Sequence, residues 1–165
     1  MSDEVVTLAH GGGGRALRSL LEQHVGPAVG AEALQHDAAR LGSLALTTDS
    51  FVVTPLDFPG GDIGRLAVCG TVNDLAMAGA RPLALSLALI IEEGLPLADL
   101  DRYLASAAAA AHEAGVPIVT GDTKVVERGR GHGLYVTTTG VGEVPDGIDL
   151  GPHRLQAGGR ILVSG

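Results

Sequence analysis

The stretch DIGRLAVCGTVNDLAMAG, residues 62–79, contains the pattern on which the fold prediction depends. It predicts a helix that is capped by Asp62 and ends near Gly79, because apolar residues recur at the helical spacing. The apolar stripe consists of Ile63, Leu66, Ala67, Gly70, Met77 and Ala78. Asp74 lies inside this stripe and Asn73 at its margin. A carboxylate there needs a cation or hydrogen-bond donors, so Asp74 is either a metal ligand or a structural residue bonded to its neighbours.

The sequence on both sides of this helix predicts strands that alternate with helices. Two further helices are predicted, over residues 15–24 and 97–114, and a loop over residues 55–61. Strands are predicted over 44–48 with an extended continuation to 54, and over 83–91, 116–120, 134–144 and 160–164. We therefore predict an α+β fold in which a mixed, largely antiparallel sheet carries helices on one face.

Composition excludes several classes of protein. The 165 residues are 45 % hydrophobic and 18 % charged, which is typical of a folded chain, and they suit one domain over residues 1–165. The net charge of −8 and the 2 % of aromatic residues argue against nucleic acid and anionic membranes as partners. One cysteine excludes an internal disulfide, and no targeting segment is visible, so we predict a cytoplasmic protein.

Four consecutive glycines, Gly11, Gly12, Gly13 and Gly14, come directly before the predicted helix at Arg15. Successive backbone N–H groups without side chains, leading into the positive end of a helix, are suited to binding phosphate. The run lacks the spacing of a P-loop or of the dinucleotide-binding fingerprint. A linker is therefore the alternative interpretation of this segment.

Two other aspartates are predicted at strand ends. Asp49 follows the strand 44–48, and Asp122 lies in the segment Gly121-Asp122-Thr123-Lys124 after the strand 116–120. Each is either a magnesium ligand or a turn residue, and Lys124 either meets a phosphate or forms a surface ion pair. Together with Asp74 and the glycine run, these residues predict a Mg-nucleotide site.

The segments that carry these residues resemble, as a set and in order, a known family. They are residues 10–14, 48–53, 59–64, 70–76, 79–80, 92–96 and 120–126. The resemblance is to the N-terminal domain of the hydrogenase expression/formation protein HypE. That family is part of the superfamily of aminoimidazole-ribonucleotide synthetase (PurM), selenophosphate synthetase and thiamine-monophosphate kinase. Segments 59–64 and 121–126 indicate the HypE branch, and the match spans nearly the whole chain.

The resemblance implies an enzyme of two α+β domains that forms a homodimer in which the N-terminal sheets pair. It implies ATP and Mg²⁺ as cofactors. A carbamoyltransferase, HypF, is implied to load a carbamoyl group onto a C-terminal cysteine, and ATP-dependent dehydration then yields a thiocyanate. The cyanide is implied to pass to iron on a HypC–HypD scaffold during [NiFe]-hydrogenase assembly.

The resemblance also implies roles for individual residues. Asp49, Asp74 and Asp122 correspond to magnesium ligands, and their carboxyl groups are expected to meet at one point. Asn73, Thr123 and Lys124 correspond to nucleotide contacts, with Lys124 also catalytic, and the loop 11–14 to a cover over the nucleotide.

Two departures from the family pattern concern the rest of the chain. Asp57 stands where the family usually has an aromatic residue, which affects the packing there. The C-terminal domain and the terminal cysteine are absent from these 165 residues, so we expect the chain alone to be inactive in the complete reaction. Cys69, inside the helix at 62–79, is expected to be structural.

Two alternatives remain at this point. The first is another ATP-dependent enzyme of the superfamily, such as a selenophosphate synthetase, although that reaction needs a reactive Cys near the glycine run. The second is a module that only dimerises and docks partner proteins. ATP binding with and without Mg²⁺ distinguishes the second from an enzyme.

Overall fold

The computed structural model describes residues 5–30 and 36–163. The chain divides into two compact units, Met1–Asp37 and Ala38–Gly165. The described part of the first unit contains a 3₁₀ turn at Leu8–Gly11 and, after the non-helical residues 12–14, one helical run. The parts of this run are α1 at Arg15–Leu20, a π-helical turn at Leu21–Val25 and α2 at Gly26–Val29. The predicted helix at 15–24 is thus confirmed and extends further. The single domain over residues 1–165 stays a prediction.

The second unit is built on a five-stranded sheet of order β1-β2-β7-β5-β6. Its strands are β1 at Ala39–Leu41, β2 at Leu44–Phe51, β5 at Arg81–Glu92, β6 at Ile118–Val126 and β7 at Leu134–Glu143. All pairs are antiparallel except β5 with β6. A short hairpin, β3 at Asp57–Phe58 with β4 at Gly61–Asp62, forms a separate two-stranded sheet. The predicted mixed, largely antiparallel α+β fold is confirmed.

Two long helices, α3 at Ile63–Met77 and α4 at Leu97–Glu113, complete the second unit. The Asp62 carboxylate caps α3 by accepting a hydrogen bond from the Arg65 backbone N–H at 3.0 Å. Helix α3 packs against β2 and β7, and α4 packs on α3. No helix within the described residues is both long enough and apolar enough to cross a bilayer.

The core lies between the sheet and α3 and between the two helices. Strands β2, β5 and β7 send alternate side chains to the face that α3 covers, and α3 buries its own face against them. The fully buried side chains of largest volume are Ile63, Leu75, Leu85, Leu134, Val68, Val136, Thr71 and Thr138. Met77, which the helical stripe placed in the core, is 65 % exposed, so that part of the stripe was wrong.

Asp57 ties the β3–β4 hairpin to α4. Its carboxylate accepts hydrogen bonds from the Arg102 guanidinium and, at 2.7 Å, from the hydroxyl of the buried Tyr103. These two donors, Arg102 first, hold the pKa of the Asp57 carboxyl below its usual value. The position expected to be aromatic therefore contributes an ion pair to the hairpin's packing.

Several boundaries differ from the sequence predictions. Strand β6 continues to Val126, so the strand end predicted at Thr120 is wrong and Asp122 lies inside the strand. The described residues 160–163 form no strand, contrary to expectation, and residues 164 and 165 lie outside the described part. Strand β1 and the hairpin at 57–62 were not predicted, because elements of two or three residues carry too little hydrophobic pattern.

Candidate functional site

Asp74 lies near the end of α3, on the side that faces β2. Its side chain is half-buried, and its Oδ2 accepts a hydrogen bond of 2.8 Å from the Thr47 hydroxyl on β2. Asn73, the preceding residue, is exposed. The structure thus keeps Asp74 at the helix–sheet interface with a hydrogen-bond donor in contact, as the helical pattern required.

Asp49 lies on β2 two residues after Thr47, so both side chains are on the face of the strand that α3 covers. Helix α3 comes close to the strand here, since a Cβ at Gly70 would lie 3.6 Å from Asp49 Oδ2 and 2.6 Å from Phe51 Cζ. Gly70 and Asp74 are one helical turn apart. The structure therefore brings Asp49 and Asp74 to the same interface, on its strand side and its helix side.

Two further threonines extend this polar strip between the sheet and α3. Thr71 on α3 and Thr138 on β7 are buried and share a hydrogen bond between their hydroxyls, and Thr138 Oγ1 also donates to the Ala67 carbonyl at 3.2 Å. Thr138 pairs with Asp49 in the sheet. We use the name polar seam for Thr47, Asp49, Thr71, Asp74 and Thr138.

Asp122 and Lys124 are in a different environment on β6, the edge strand of the sheet. Their side chains are 65 % and 68 % exposed and form an ion pair of 3.1 Å. The Lys124 ammonium, followed by the Thr123 backbone N–H, holds the pKa of the Asp122 carboxyl below its usual value. Thr123, between them, is exposed as well.

Strand register gives the separation of Asp122 from the polar seam. Asp49 pairs with Thr138, Thr138 with Leu87, and Leu87 with Gly121, so β6 is three strands from β2. At about 4.8 Å per strand, this separation is about 14 Å. Asp122 itself pairs with Ala88, one residue beyond Leu87, and by strand alternation its side chain is on the face away from α3.

The expectation that the three carboxyl groups of one chain meet at one point is therefore wrong. Asp49 and Asp74 lie at the same strand–helix interface, and Asp122 does not lie there. Within the described residues, no group of three or more His, Cys, Asp or Glu side chains is placed to hold a metal ion. The role of each aspartate as a magnesium ligand stays a prediction.

The chemistry of the polar seam nevertheless fits magnesium. Mg²⁺ prefers oxygen ligands and is usually held by one or two carboxylates, with water and substrate phosphates completing the octahedron. Asp49 and Asp74 supply two carboxylates from rigid elements, and Thr47 orients one of them. A site with two protein ligands needs no third carboxylate from the same chain.

The glycine run belongs to the first unit of the chain. A 3₁₀ turn ends at Gly11, and Gly14 is the residue that precedes α1, so the run leads into a helix as predicted. His10 closes the turn, because its Nδ1 accepts a hydrogen bond from the Thr7 backbone N–H at 3.0 Å. Nothing lies within 4 Å of a Cβ built at Gly11, Gly13 or Gly14. The proposed nucleotide contacts of the run stay a prediction.

Sequence reasoning missed two positioning contacts in the second unit. Thr47 forms a hydrogen bond with Asp74. The sequence feature that could have indicated this contact is the position of Thr47 two residues before Asp49, on the same face of the strand. Glu92, at the end of β5, accepts hydrogen bonds from the backbone N–H groups of Gly129 and Gly133 in the β6–β7 loop, which keep the pKa of its carboxyl low. The alternating glycines of that loop were the available signal.

A protein-family model matches most of the chain. Residues 35–144 match the N-terminal domain of AIR synthase related proteins. The chain belongs to this family. The matched range contains the polar seam and β6, and it leaves out the glycine run.

Two curated relatives narrow the resemblance. The chain is 55 % identical to carbamoyl dehydratase HypE of Azotobacter vinelandii, covering 97 % of this chain and 49 % of the relative. It is 46 % identical to carbamoyl dehydratase HypE of Escherichia coli K12, covering 97 % of this chain and 51 % of the relative. The predicted resemblance to HypE is confirmed. The chain spans about half the length of the curated relatives it matches.

Solved structures agree with this result. The chain superposes on HypE in a HypE–HypF complex with a TM-score of 0.74 and 53 % identity, covering 78 % of this chain and 43 % of that one. HypE in complex with ATP gives a TM-score of 0.62 and 50 % identity, covering 86 % of this chain and 44 % of that one. A ThiL structure with AMPPCP and TMP, at 17 % identity and a TM-score of 0.64, shares the fold.

Proposed function

We propose that this chain is the ATP-binding, N-terminal part of a HypE-type carbamoyl dehydratase. The match to relatives of that name, at 55 % identity over 97 % of the chain, carries the proposal. Support for ATP comes from a HypE structure in complex with ATP, to which the chain is 50 % identical. Because the relatives are about twice as long, the complete reaction belongs to a longer protein.

The proposed reaction dehydrates a carbamoyl group on a C-terminal cysteine to a thiocyanate, which supplies cyanide for the iron of a [NiFe]-hydrogenase. ATP activates the carbamoyl oxygen in this scheme. The residues described here contribute nucleotide and metal binding, and the cysteine carrier is outside them. Cys69 is half-buried on α3 beside the core cluster around Val68, so we assign it a structural role.

The metal part of the proposal rests on the two carboxylates of the polar seam. Asp49 and Asp74 would hold Mg²⁺, and Mg²⁺ when bound offsets the negative charge of the ATP phosphates. Asn73 is exposed directly beside Asp74, where its amide is available to a phosphate or to the nucleotide. The seam's carboxylates are fixed by a strand and a helix, and such a rigid support favours a defined metal geometry.

The nucleotide part of the proposal involves β6 and the glycine run. Lys124 is the only lysine of the chain, and its exposed ammonium is available to stabilise phosphate charge as the catalytic cation. Thr123 is proposed as a nucleotide contact, and Asp122 as a metal ligand that does not share an ion with Asp49 and Asp74 of the same chain. Gly11, Gly12, Gly13 and Gly14 are proposed to cover the nucleotide through their backbone N–H groups.

We include a homodimer in the proposal, formed through the face of the sheet opposite α3. That face carries hydroxyl groups bonded across strands, Ser50 to Thr137 at 2.9 Å and Thr139 to Thr48 at 3.1 Å. Leu46 and Ile90 are exposed beside them, at 38 % and 41 %. A flat sheet face of this kind is suited to packing against a second sheet.

The proposed partners are HypF and the HypC–HypD complex. A HypE–HypF structure, whose HypE chain is 53 % identical to this one, supports HypF. The cytoplasm is the proposed compartment, since a reducing environment suits a chain with one unpaired cysteine.

Calorimetric titration with a non-hydrolysable ATP analogue, with and without Mg²⁺, tests the metal and nucleotide proposal. Asp49→Asn and Asp74→Asn should each weaken Mg²⁺-dependent binding at least about tenfold, because each removes one carboxylate ligand. Asp101→Asn, an exposed aspartate of α4, is the matched control and should leave binding unchanged. The metal site would be contradicted if the affinity for ATP were the same with and without Mg²⁺, or if neither Asp49→Asn nor Asp74→Asn changed it. No nucleotide binding at all would favour a docking module.

Light scattering tests the homodimer. At tens of micromolar, the chain should have about twice its 16.6 kDa mass, since specific interfaces of ordinary size are stable far below that concentration. Ile90→Lys should shift it to the monomer, and Leu97→Lys, an exposed residue at the start of α4, should not. A monomeric parent protein argues against the proposed dimer.

A further inference from the structure

The hydrogen bond between Thr47 and Asp74 links the strand to the helix of the polar seam. We infer that Thr47 is a positioning residue that holds the Asp74 carboxylate in the orientation needed for Mg²⁺, an inference that rests on the proposed function. The Thr47 hydroxyl donates to Asp74 Oδ2 at 2.8 Å. A ligating carboxylate is commonly held in its orientation by such a hydrogen-bond donor.

Thr47 is well placed to act as a fixed donor. Its side chain is 4 % exposed, and its strand pairs with β7 through Gly140, which is itself buried. Threonine is branched at Cβ and has few rotamers in such a position. The direction of the hydroxyl is therefore set by the strand, and a side chain on α3 is oriented by a group on β2.

The same strand also supplies the second carboxylate. Asp49 is two residues beyond Thr47 on the same face, about 7 Å along the strand. A shift of β2 relative to α3 would thus move Asp49 and the donor to Asp74 together. Thr47 thereby couples the position of the Asp74 carboxylate to that of Asp49, which suits a metal with strict octahedral geometry.

Thr71 provides a matched comparison one helical turn before Asp74. It is buried like Thr47, and its hydroxyl bonds the Thr138 hydroxyl of β7. That bond joins the same helix to the same sheet without involving a carboxylate. Removing the Thr71 hydroxyl loosens the interface in the same way as removing that of Thr47, but it leaves the orientation of Asp74 unchanged.

The test measures Mg²⁺ affinity in the presence of a non-hydrolysable ATP analogue by calorimetry, and Mn²⁺ binding by electron paramagnetic resonance. It uses the protein as its host expresses it. Thr47→Val should weaken Mg²⁺ binding about tenfold, which is the usual effect of losing an orienting partner. Thr47→Ser keeps the hydroxyl and should restore the affinity. Thr71→Val should lower the melting temperature and leave the affinity unchanged.

Each outcome separates this inference from the proposed function. Weaker binding in Asp74→Asn with unchanged binding in Thr47→Val overturns the positioning role and leaves the metal site standing. Unchanged binding in Asp74→Asn overturns both. Equal losses in Thr47→Val and Thr71→Val also overturn the positioning role, because they indicate general loosening of the interface. Should Thr47→Val fail to fold, as judged by circular dichroism, Thr47→Ala removes the same hydroxyl with less branching and takes its place.

Discussion

The polar seam and the edge strand β6 present the same chemical group, an aspartate carboxylate, in two environments. Asp49 and Asp74 are half-buried between a strand and a helix, and a threonine hydroxyl orients Asp74. Asp122 is exposed, and its partner Lys124 is exposed as well. The comparison shows that packing determines the geometry of the aspartates at the seam, whereas a solvated ion pair determines it at the edge strand.

Gly121→Ala should have the largest effect on stability. It tests whether β6, whose side chains are mostly exposed, is nevertheless packed tightly against the backbone of β5. A Cβ at this position would lie 2.0 Å from the Leu87 carbonyl oxygen of β5, a backbone atom with little freedom to move. We expect the free energy of unfolding in urea to fall by about 3 kcal/mol. Gly11→Ala, with nothing within 4 Å, is the control and should change it by less than about 0.5 kcal/mol. Equal unfolding midpoints for the two variants would refute tight β5–β6 contact.

Thr138→Val should have the next largest effect and probes the buried part of the seam. It leaves the Thr71 hydroxyl without its partner and removes the bond to the Ala67 carbonyl, which should cost about 1–2 kcal/mol in the free energy of unfolding. The double variant with Thr71→Val should lose less than Thr138→Val alone, because no unpaired hydroxyl remains. Strictly additive losses would show that the two hydroxyls act independently.

Gly70→Ala should have a smaller net effect at the point where α3 comes closest to β2. The added methyl group would lie 2.6 Å from Phe51 Cζ, a side chain that can shift, and alanine favours the helix. We expect a net loss of about 1 kcal/mol in the free energy of unfolding. Ala76→Gly, exposed on the same helix, measures the helix-propensity contribution separately. A net gain in Gly70→Ala would mean that Phe51 repacks without strain.

Lys124→Gln should have the smallest effect on stability and should instead change a titration. Because Lys124 is the main cause of the low pKa of Asp122, this pKa should rise towards its ordinary value of 3.8, as measured by carbon NMR of the carboxyl group. A lowered pKa in the folded state stabilises the protein above the ordinary pKa, and this contribution is lost as the pH falls through the folded-state value. With both groups exposed, high salt should raise the pKa of the parent protein in the same direction. An unchanged pKa in the variant would contradict the ion pair.

Sequence patterns predicted the elements that are long and strongly periodic. Strands β2 and β7 and helices α3 and α4 lie within a few residues of the predicted positions. The prediction for β6 was wrong at its end, because Gly121 and Asp122 are typical turn residues. Parallel pairing with β5 continues through both of them to Val126, so tertiary contacts outweighed local preference.

The candidate site was predictable only in part for a similar reason. The helical stripe placed Asp74 on the apolar side of the helix, and in the structure this side chain contacts strand β2. The pairing of Asp74 with Thr47 depends on the position of β2 along the axis of α3, and the sequence pattern of neither segment contains that position. The separation of Asp122 from Asp49 depends on strand order. Strands β7 and β5 lie between β2 and β6, so the two aspartates are three strand spacings apart. Order of that kind is set by the whole fold.

The exposure of Lys124 has a practical consequence for chemical labelling. These 165 residues contain one lysine and one cysteine, Lys124 on the open edge strand and Cys69 half-buried on α3. Amine-reactive reagents therefore modify one side chain besides the α-amino group, and thiol-reactive reagents modify one other side chain. A peptide map after labelling thus reports the accessibility of the edge strand at one lysine, and a second, orthogonal reagent reports on helix α3 in the same molecule.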